Sequence, residues 1–227
     1  MLQTILNHQN AAAWVGSLAT LAAVVAALFQ QEIRSLWDRP KLGLSVRLAP
    51  PDCHKTKLRG LNEKGEVIEV DSYYLRLWVT NLGSQMADKA QVFVAKLSKR
   101  HTDGTFLEEA SFLPMNLRWA HSGAIYADIA PKMGKHCDLG HVDNPMGSAS
   151  MADKFYGQPK TVLILDLEVQ PNTGSHIIAP GIYRLELKIA ANNVKPSTKI
   201  IELSLAGSWS VEETKMFAEG LGIKLLA

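Results

Sequence analysis

The chain has 227 residues, with 24 Lys+Arg against 22 Asp+Glu and a formal net charge of +2. So small an excess excludes the concentrated basic footprint of a dedicated nucleic-acid binder, and nucleic acid is not expected as a direct ligand. The only two cysteines, Cys53 and Cys137, are too few for a secreted disulfide scaffold, so reduced thiols in a cytosol are expected.

No Lys, Arg, Asp or Glu occurs from Met1 to Gln31. Residues 1–10 read as a short tail, and 11–38 as a transmembrane helix with a juxtamembrane extension ended by Pro40. At about 1.5 Å per residue, Ala11 to Phe29 covers roughly the 30 Å hydrocarbon core of a bilayer. Arg34, Arg39, Lys41 and Arg47 follow at once, so the positive-inside rule places the downstream chain in the cytoplasm and the N-terminus outside. A cleaved signal peptide is the rival reading, against which stand the missing positive n-region and the long apolar run. Trp14 and Trp37 bracket the span as interface aromatics do. Trp14, Leu18, Leu21, Val25 and Leu28 make a bulky stripe on this helix. Gly16, Thr20, Ala23 and Ala27 follow the same spacing on the opposite face, where small residues permit helix–helix contact in lipid and hence a homo-oligomer.

Residues 41–227 form the expected second domain. Leu42, Leu44, Val46 and Leu48 alternate with small or polar residues and predict a half-buried strand. Pro50 to Glu66 is basic and punctuated by Pro and Gly, which predicts a loop or loose hairpin near the membrane surface. Tyr73, Leu75, Leu77 and Val79 predict a second strand running into a turn at Asn81-Leu82-Gly83 and on to Ala87, Ala90, Val92 and Val94. Asp103-Gly104 predicts a hairpin tip. Shorter apolar runs follow from Leu113 to Trp119, Ala124 to Ile129 and Cys137 to Val142. Leu163 to Val169, Tyr183 to Ile189 and Ile201 to Leu205 are clear alternating strands, with Asn192-Asn193 and Lys195-Pro196 turning between the last two. Ser210 and Glu213 have capping-box spacing, which predicts a helix over 210–220 with Val211, Met216 and Phe217 inward, and GIKLLA supplies a last strand or covers an edge.

The run YYLRLWVTNLGSQMADKAQVFV, with Val79, Asn81, Gly83 and Ala87, resembles the strand-turn-strand unit of immunoglobulin-like and cell-adhesion-type bacterial β-sandwiches. PGIYRLELKIAANNVKPSTKIIELSL resembles their closing hairpin, with Tyr183 where a tyrosine-corner residue falls. The resemblance implies an antiparallel immunoglobulin-like β-sandwich, and it specifies fold rather than function. In organisation, one span followed by a cytoplasmic β-domain resembles the small membrane effectors of prokaryotic antiphage defence.

Two clusters carry the candidate chemistry. Arg76 and Trp78 on one strand, with Asn116, Arg118, Trp119 and His121, supply the charge and stacking that clamp an anionic planar ligand or a peptide. His136, Cys137, Asp138 and His141, with Asp52 to His54 nearby in type, are metal-ligating residues. In a regular strand Cys137 and His141 share a face about 13 Å apart, so one ion reaches both only if the strand bends. Lys96, Lys99 and Arg100 read as a solvated edge that blunts sheet-to-sheet pairing. No nucleotide-binding glycine loop, zinc-protease helix or nucleophile elbow is present, and no cofactor is implied. The function expected is therefore that of a non-enzymatic inner-membrane protein, anchored in the lipid bilayer. Its cytoplasmic sandwich binds a protein partner or small ligand, as an oligomerising effector or adaptor would. The alternatives are an extracytoplasmic adhesion or envelope-binding domain, with a Cys53–Cys137 disulfide, and a metal-dependent hydrolase.

Overall fold

The computed structural model describes residues 2–30, 39–61, 65–145 and 161–226. The chain divides into two compact units, Met1–Arg39 and Pro40–Ala227.

In the first unit, α1 spans Leu2–Leu28. The helix starts well before Ala11, because Leu2 to Asn10 holds neither Gly nor Pro and is rich in straight-chain residues that favour helix. Its described side chains begin at Trp14, and the large apolar ones are exposed on every side, from Trp14 (72%) through Leu21 (61%) to Leu28 (71%). Among the described residues no helix is long and apolar enough to cross a membrane. Trp14–Leu28 alone rises about 22 Å, short of a hydrocarbon core of about 30 Å. The expected extension over 31–38, with Trp37 and the stop before Pro40, lies outside the described residues.

The second unit is mainly β, with two antiparallel sheets facing each other across one core. In chain order the strands are β1 (Leu42–Ser45), β2 (Cys53–Leu61), β3 (Val67–Asn81), β4 (Ala87–Arg100), β5 (Phe106–Glu108), β6 (Met115–Asn116) and β7 (Arg118–Trp119). There follow β8 (Ala127–Ile129), β9 (Gly134–Asp143), β10 (Leu163–Leu165), β11 (Ile177–Ile178), β12 (Gly181–Ala191), β13 (Val194–Leu205) and β14 (Leu221–Leu225). Sheet one runs β1-β3-β9-β10-β11, with β2 sharing the β1 edge of β3 and β7 also pairing β9. Sheet two runs β14-β13-β12-β4-β5, with β6 and β8 also on β4.

Alternation decides which residues fill the space between the sheets. Tyr73, Leu75, Leu77 and Val79 point inward from β3, and Leu185, Leu187 and Ile189 from β12, with Leu203 from β13; all are buried in one cluster. The alternating strands of the last third thus form as expected in β12 and β13. Leu163 to Val169 does not: β10 stops at Leu165, and Val169 is 59% exposed. Ile164 is buried on the other side of this strand, against Val162 and Ile177, so the segment is covered on both faces rather than one.

The turn at Asn81 links the two sheets. Asn81 is fully buried, and its amide does the work of four backbone partners. Its Nδ2 donates to the carbonyls of Gln85 (2.6 Å) and Ile129 (3.0 Å), while Oδ1 accepts from the backbone N–H groups of Lys41 (3.2 Å) and Gly83 (3.0 Å). The strand-turn-strand unit read from sequence is therefore an inter-sheet crossing, pinned by one side chain.

Three further expectations change. Of the loop or loose hairpin expected over Pro50 to Glu66, Cys53 to Leu61 is a regular hairpin arm: β2 pairs residue for residue with β3 from Cys53↔Leu75 to Leu61↔Val67. Its lysines and arginine make cross-strand ion pairs, Lys55–Asp71, Lys57–Glu69 and Arg59–Glu69, so charge that looked like loop composition is sheet pairing. Lys195-Pro196 lies inside β13, and Asn192-Asn193 alone makes the turn. The C-terminal helix shrinks to one turn at Glu213–Lys215 and a π-turn at Met216–Gly220. Met216 is buried and Phe217 packs on the core, but Val211 is exposed, because the helical turn starts only after Glu212. Tyr73 anchors this segment through its ring, 4.9 Å from Trp209 and 5.5 Å from Phe217, and through its hydroxyl, which donates to the Ser210 carbonyl at 2.8 Å. The tail then adds β14 to the edge of sheet two.

Both cysteines are free and buried. Cys53 stands opposite Leu75 on one side of β3 and Cys137 opposite Leu77 on the other. A whole strand lies between them, so their Cα atoms are about 10 Å apart at sheet spacing, beyond the reach of a disulfide.

Candidate functional site on the outer face of sheet one

One irregularity organises this face. Opposite Leu75 and Arg76 of β3, strand β9 presents Gly140 and Asp138, so Leu139 is an extra residue in a bulge. The bulge reverses the alternation of β9. Leu139 keeps an inward, buried side chain, while His141 moves to the outer face that His136 and Asp138 already occupy. Gly140 permits it, since a Cβ there would stand 2.3 Å from the Ile164 carbonyl oxygen of β10. The bend that a metal site would have required is thus present, but it separates Cys137 from His141 instead of joining them. Cys137 is buried, its thiol donating to the Arg118 carbonyl at 3.4 Å, and burial pushes its pKa well above the ordinary value. Among the described residues no group of three or more His, Cys, Asp or Glu is placed to hold a metal ion.

What the bulge assembles is a polar field in two connected parts. At its centre is Arg76, whose guanidinium meets only neutral acceptors. Nη2 donates to the Pro51 carbonyl at 2.8 Å and lies 3.0 Å from His54 Nδ1; Nη1 lies 3.4 Å from His121 Nε2. Because a guanidinium only donates, both imidazoles serve as its acceptors. Burial first, and then the Arg76 charge, lower the His54 pKa, with His136 and His121 adding to the effect and Glu213 opposing it. His121 holds a left-handed backbone, φ 66°, in the turn after β7. Beside them Asp52 is buried and accepts from the Arg47 backbone at 3.0 Å, with His136 Nε2 3.1 Å from its other oxygen. Trp78 lies across Gly134, where a Cβ would come within 2.5 Å of the indole, and its ring centroid is 4.6 Å from that of His136.

The second part centres on Asp138, which stands opposite Arg76 on one side and Arg118 on the other. Burial, then the charge of Asp166, raise its pKa to about 6, against the opposing pull of Arg76 and His141. His141 Nδ1 lies 3.2 Å from Asp166, and its ring stacks on Tyr74 at 5.5 Å. Burial works against a charged His141, but the hydrogen bond and charge of Asp166, with Asp143 and Asp138 behind it, prevail and raise its pKa. Tyr74 is raised too, by burial and then by Asp166 and Asp138.

Of the six residues selected for ligand binding, four lie on this face. Arg76 and His121 touch, Trp78 is two residues along the same side of β3, and Arg118 faces Asp138 while donating to the Glu168 carbonyl at 2.7 Å. Trp119 does not join them. It is 2% exposed and bridges the sheets, its indole N–H donating to the Ala90 carbonyl at 3.1 Å, because neighbours on a strand point to opposite faces and Arg118 takes the outer one. Asn116 belongs to β6 in sheet two, opposite Phe93. Sequence reading missed Tyr74 and Asp166. The one signal for Asp166 was an acid inside the apolar run LILDL, and its partner His141 is 25 residues away. In α1, Gly16, Thr20, Ala23 and Ala27 are all exposed, and the Thr20 hydroxyl donates back to the Gly16 carbonyl at 2.9 Å.

Fold and face together define an antiparallel β-sandwich with an Arg- and His-rich outer sheet. No family model, curated protein or solved structure matches this chain.

Proposed function

We propose that this is a single-span membrane protein whose immunoglobulin-like sandwich lies in the cytoplasm and binds a partner or small ligand through the outer face of sheet one, acting as an effector or adaptor rather than an enzyme. The observation that carries the reading is the apolar girdle of α1. Leucines, valines and alanines exposed around the whole circumference of a helix need an apolar surround, which lipid or packed helices supply. The sequence completes the span with Ala11 to Ala13 and Phe29 and sets the charge-free side outside. The Gly16, Thr20, Ala23 and Ala27 side then offers the contact through which copies assemble, in the manner of bacterial antiphage effectors. Support for a binding sandwich lies in the composition of its outer face: a guanidinium held by a carbonyl and two imidazoles, an exposed arginine and an indole.

The test is extraction of membranes with alkaline carbonate, followed by cross-linking of the retained fraction. The chain should stay with the membrane, and Gly16→Ile with Ala23→Ile should reduce cross-linked oligomers. Release of the intact chain into the supernatant overturns the anchor; unchanged cross-linking overturns the assembly face. The extracytoplasmic alternative loses its disulfide, because strand β3 lies between Cys53 and Cys137.

A further inference from the structure

The half-buried Arg76 is short of a counter-ion. Its contacts are a carbonyl and two imidazoles, its Nε is buried with no acceptor, and among the described residues neither it nor Arg118 has a carboxylate within ion-pair distance. A guanidinium held in a partly dry setting without an anion is costly unless an anion arrives. The nearby acids are committed elsewhere: Asp52 to Arg47 and His136, Asp166 to His141. Asp138 sits in register between the two arginines, yet is a group that gives up its charge near pH 6. Arg76 and Arg118 are separated by two strand spacings, about 10 Å, which long side chains close around a ligand above Asp138. Trp78 flanks the place and offers a flat apolar surface to whatever carries the anion.

Resting on the reading that this face is the binding surface, we propose that the Arg76 centre binds a phosphate monoester, its phosphoryl oxygens taken by Arg76, Arg118 and His121. Arginine matches phosphoryl geometry through paired N–H donors, and a dianion supplies the acceptors these donors lack. On the protein side, a lower pH favours the complex. Asp138 becomes neutral as pH falls, and His54, with Arg76, His136 and Glu213 around it, changes from an acceptor on Arg76 to a donor toward the anion. Two sources share this chemistry, a soluble nucleotide and a phosphatidic-acid headgroup.

The experiment uses the full chain in phosphatidylcholine nanodiscs and calorimetric titration with inorganic phosphate, with sulfate as an isostere whose charge is constant from pH 6 to 8. Saturable phosphate binding is expected, weakened at least tenfold in Arg76→Gln and severalfold in Arg118→Gln, whose exposed side chain leaves folding untouched. Sulfate should bind more tightly at pH 6 than at pH 8. Binding unchanged in Arg76→Gln, or no saturable binding by the wild type, overturns the proposal. Adenosine monophosphate tighter than phosphate, with the gain lost in Trp78→Ala, identifies a nucleotide source; preferential capture on phosphatidic-acid vesicles, reversed by free phosphate, identifies a headgroup. Failure of phosphate binding in a chain that resists carbonate extraction refutes this inference alone, whereas phosphate binding by a carbonate-released chain refutes only the anchor.

Discussion

Replacing Asn81 by Ala removes a side chain that satisfies four backbone groups at the crossing between sheets. Two donated and two accepted hydrogen bonds disappear, to Gln85, Ile129, Lys41 and Gly83. The Ile129 carbonyl lies in a buried environment, and the other three partners are part-buried and rehydrate on loosening. An orphaned buried group costs about 1–3 kcal/mol and a rehydrated one about 0.5–1 kcal/mol, so the expected loss is about 3–5 kcal/mol. Asn81→Asp keeps the acceptor for Lys41 and Gly83 while removing both donors and burying a charge, so it should be at least as destabilising at pH 7.5. Urea denaturation of the full chain in detergent, followed by tryptophan fluorescence, measures both variants. A loss below 1 kcal/mol for Asn81→Ala would refute the assignment of this residue as the pin between the sheets.

Other consequences follow from the bulge and the groups it gathers. Gly140→Ala places a methyl carbon against the Ile164 carbonyl, backbone that cannot turn aside, so β10 must shift; a destabilisation of about 2–4 kcal/mol is expected, read in the same urea assay, and a neutral result would contradict the close β9–β10 approach. Gly134→Ala should displace Trp78 from its seat over the glycine and change the emission of that indole, detected by comparison with Trp78→Phe, with no such change if the ring lies elsewhere. Asp138 has a folded pKa of about 6 against an ordinary 3.8, so the folded state holds the extra proton between these values. Its contribution to stability is therefore present below pH 3.8 and lost as pH rises through 6. Asp138→Asn should remove that slope and stabilise the protein at pH 7.5 by about 1–2 kcal/mol once solvent screening is allowed for, with a much smaller gain at pH 4.5. An equal gain at both pH values would refute the raised pKa.

The legible part of the sequence was the part where a single local period decides the outcome. Strands β3, β12 and β13 bury one face each, so Leu75, Leu77, Leu185 and Leu203 announce themselves, and Asp103-Gly104 marks the β4–β5 hairpin. Strand β2 was obscured because its stabilising pairs are ionic and cross-strand, and Lys57, whose partner is Glu69 on β3, has no sequence neighbour to reveal it. The site was half legible for a similar reason. Arg76, Trp78 and Arg118 stand out by residue type, but a bulge at Leu139 reverses every side chain after it, and nothing in HCDLGHVD announces which residue is extra. Trp119 was misplaced by one position of alternation, and Tyr74 and Asp166 meet His141 only through the pairing of three strands distant in sequence.

The central claim, a span with the sandwich on its cytoplasmic side, is tested most directly by placing single reporter thiols at either end. Cys53 and Cys137 are buried, so in folded protein Gln3→Cys and Asp103→Cys report their own positions to an impermeant maleimide. Labelling of Gln3→Cys is expected in intact spheroplasts, and of Asp103→Cys only after lysis. Labelling of Asp103→Cys in intact spheroplasts, with protection of Gln3→Cys, would contradict it.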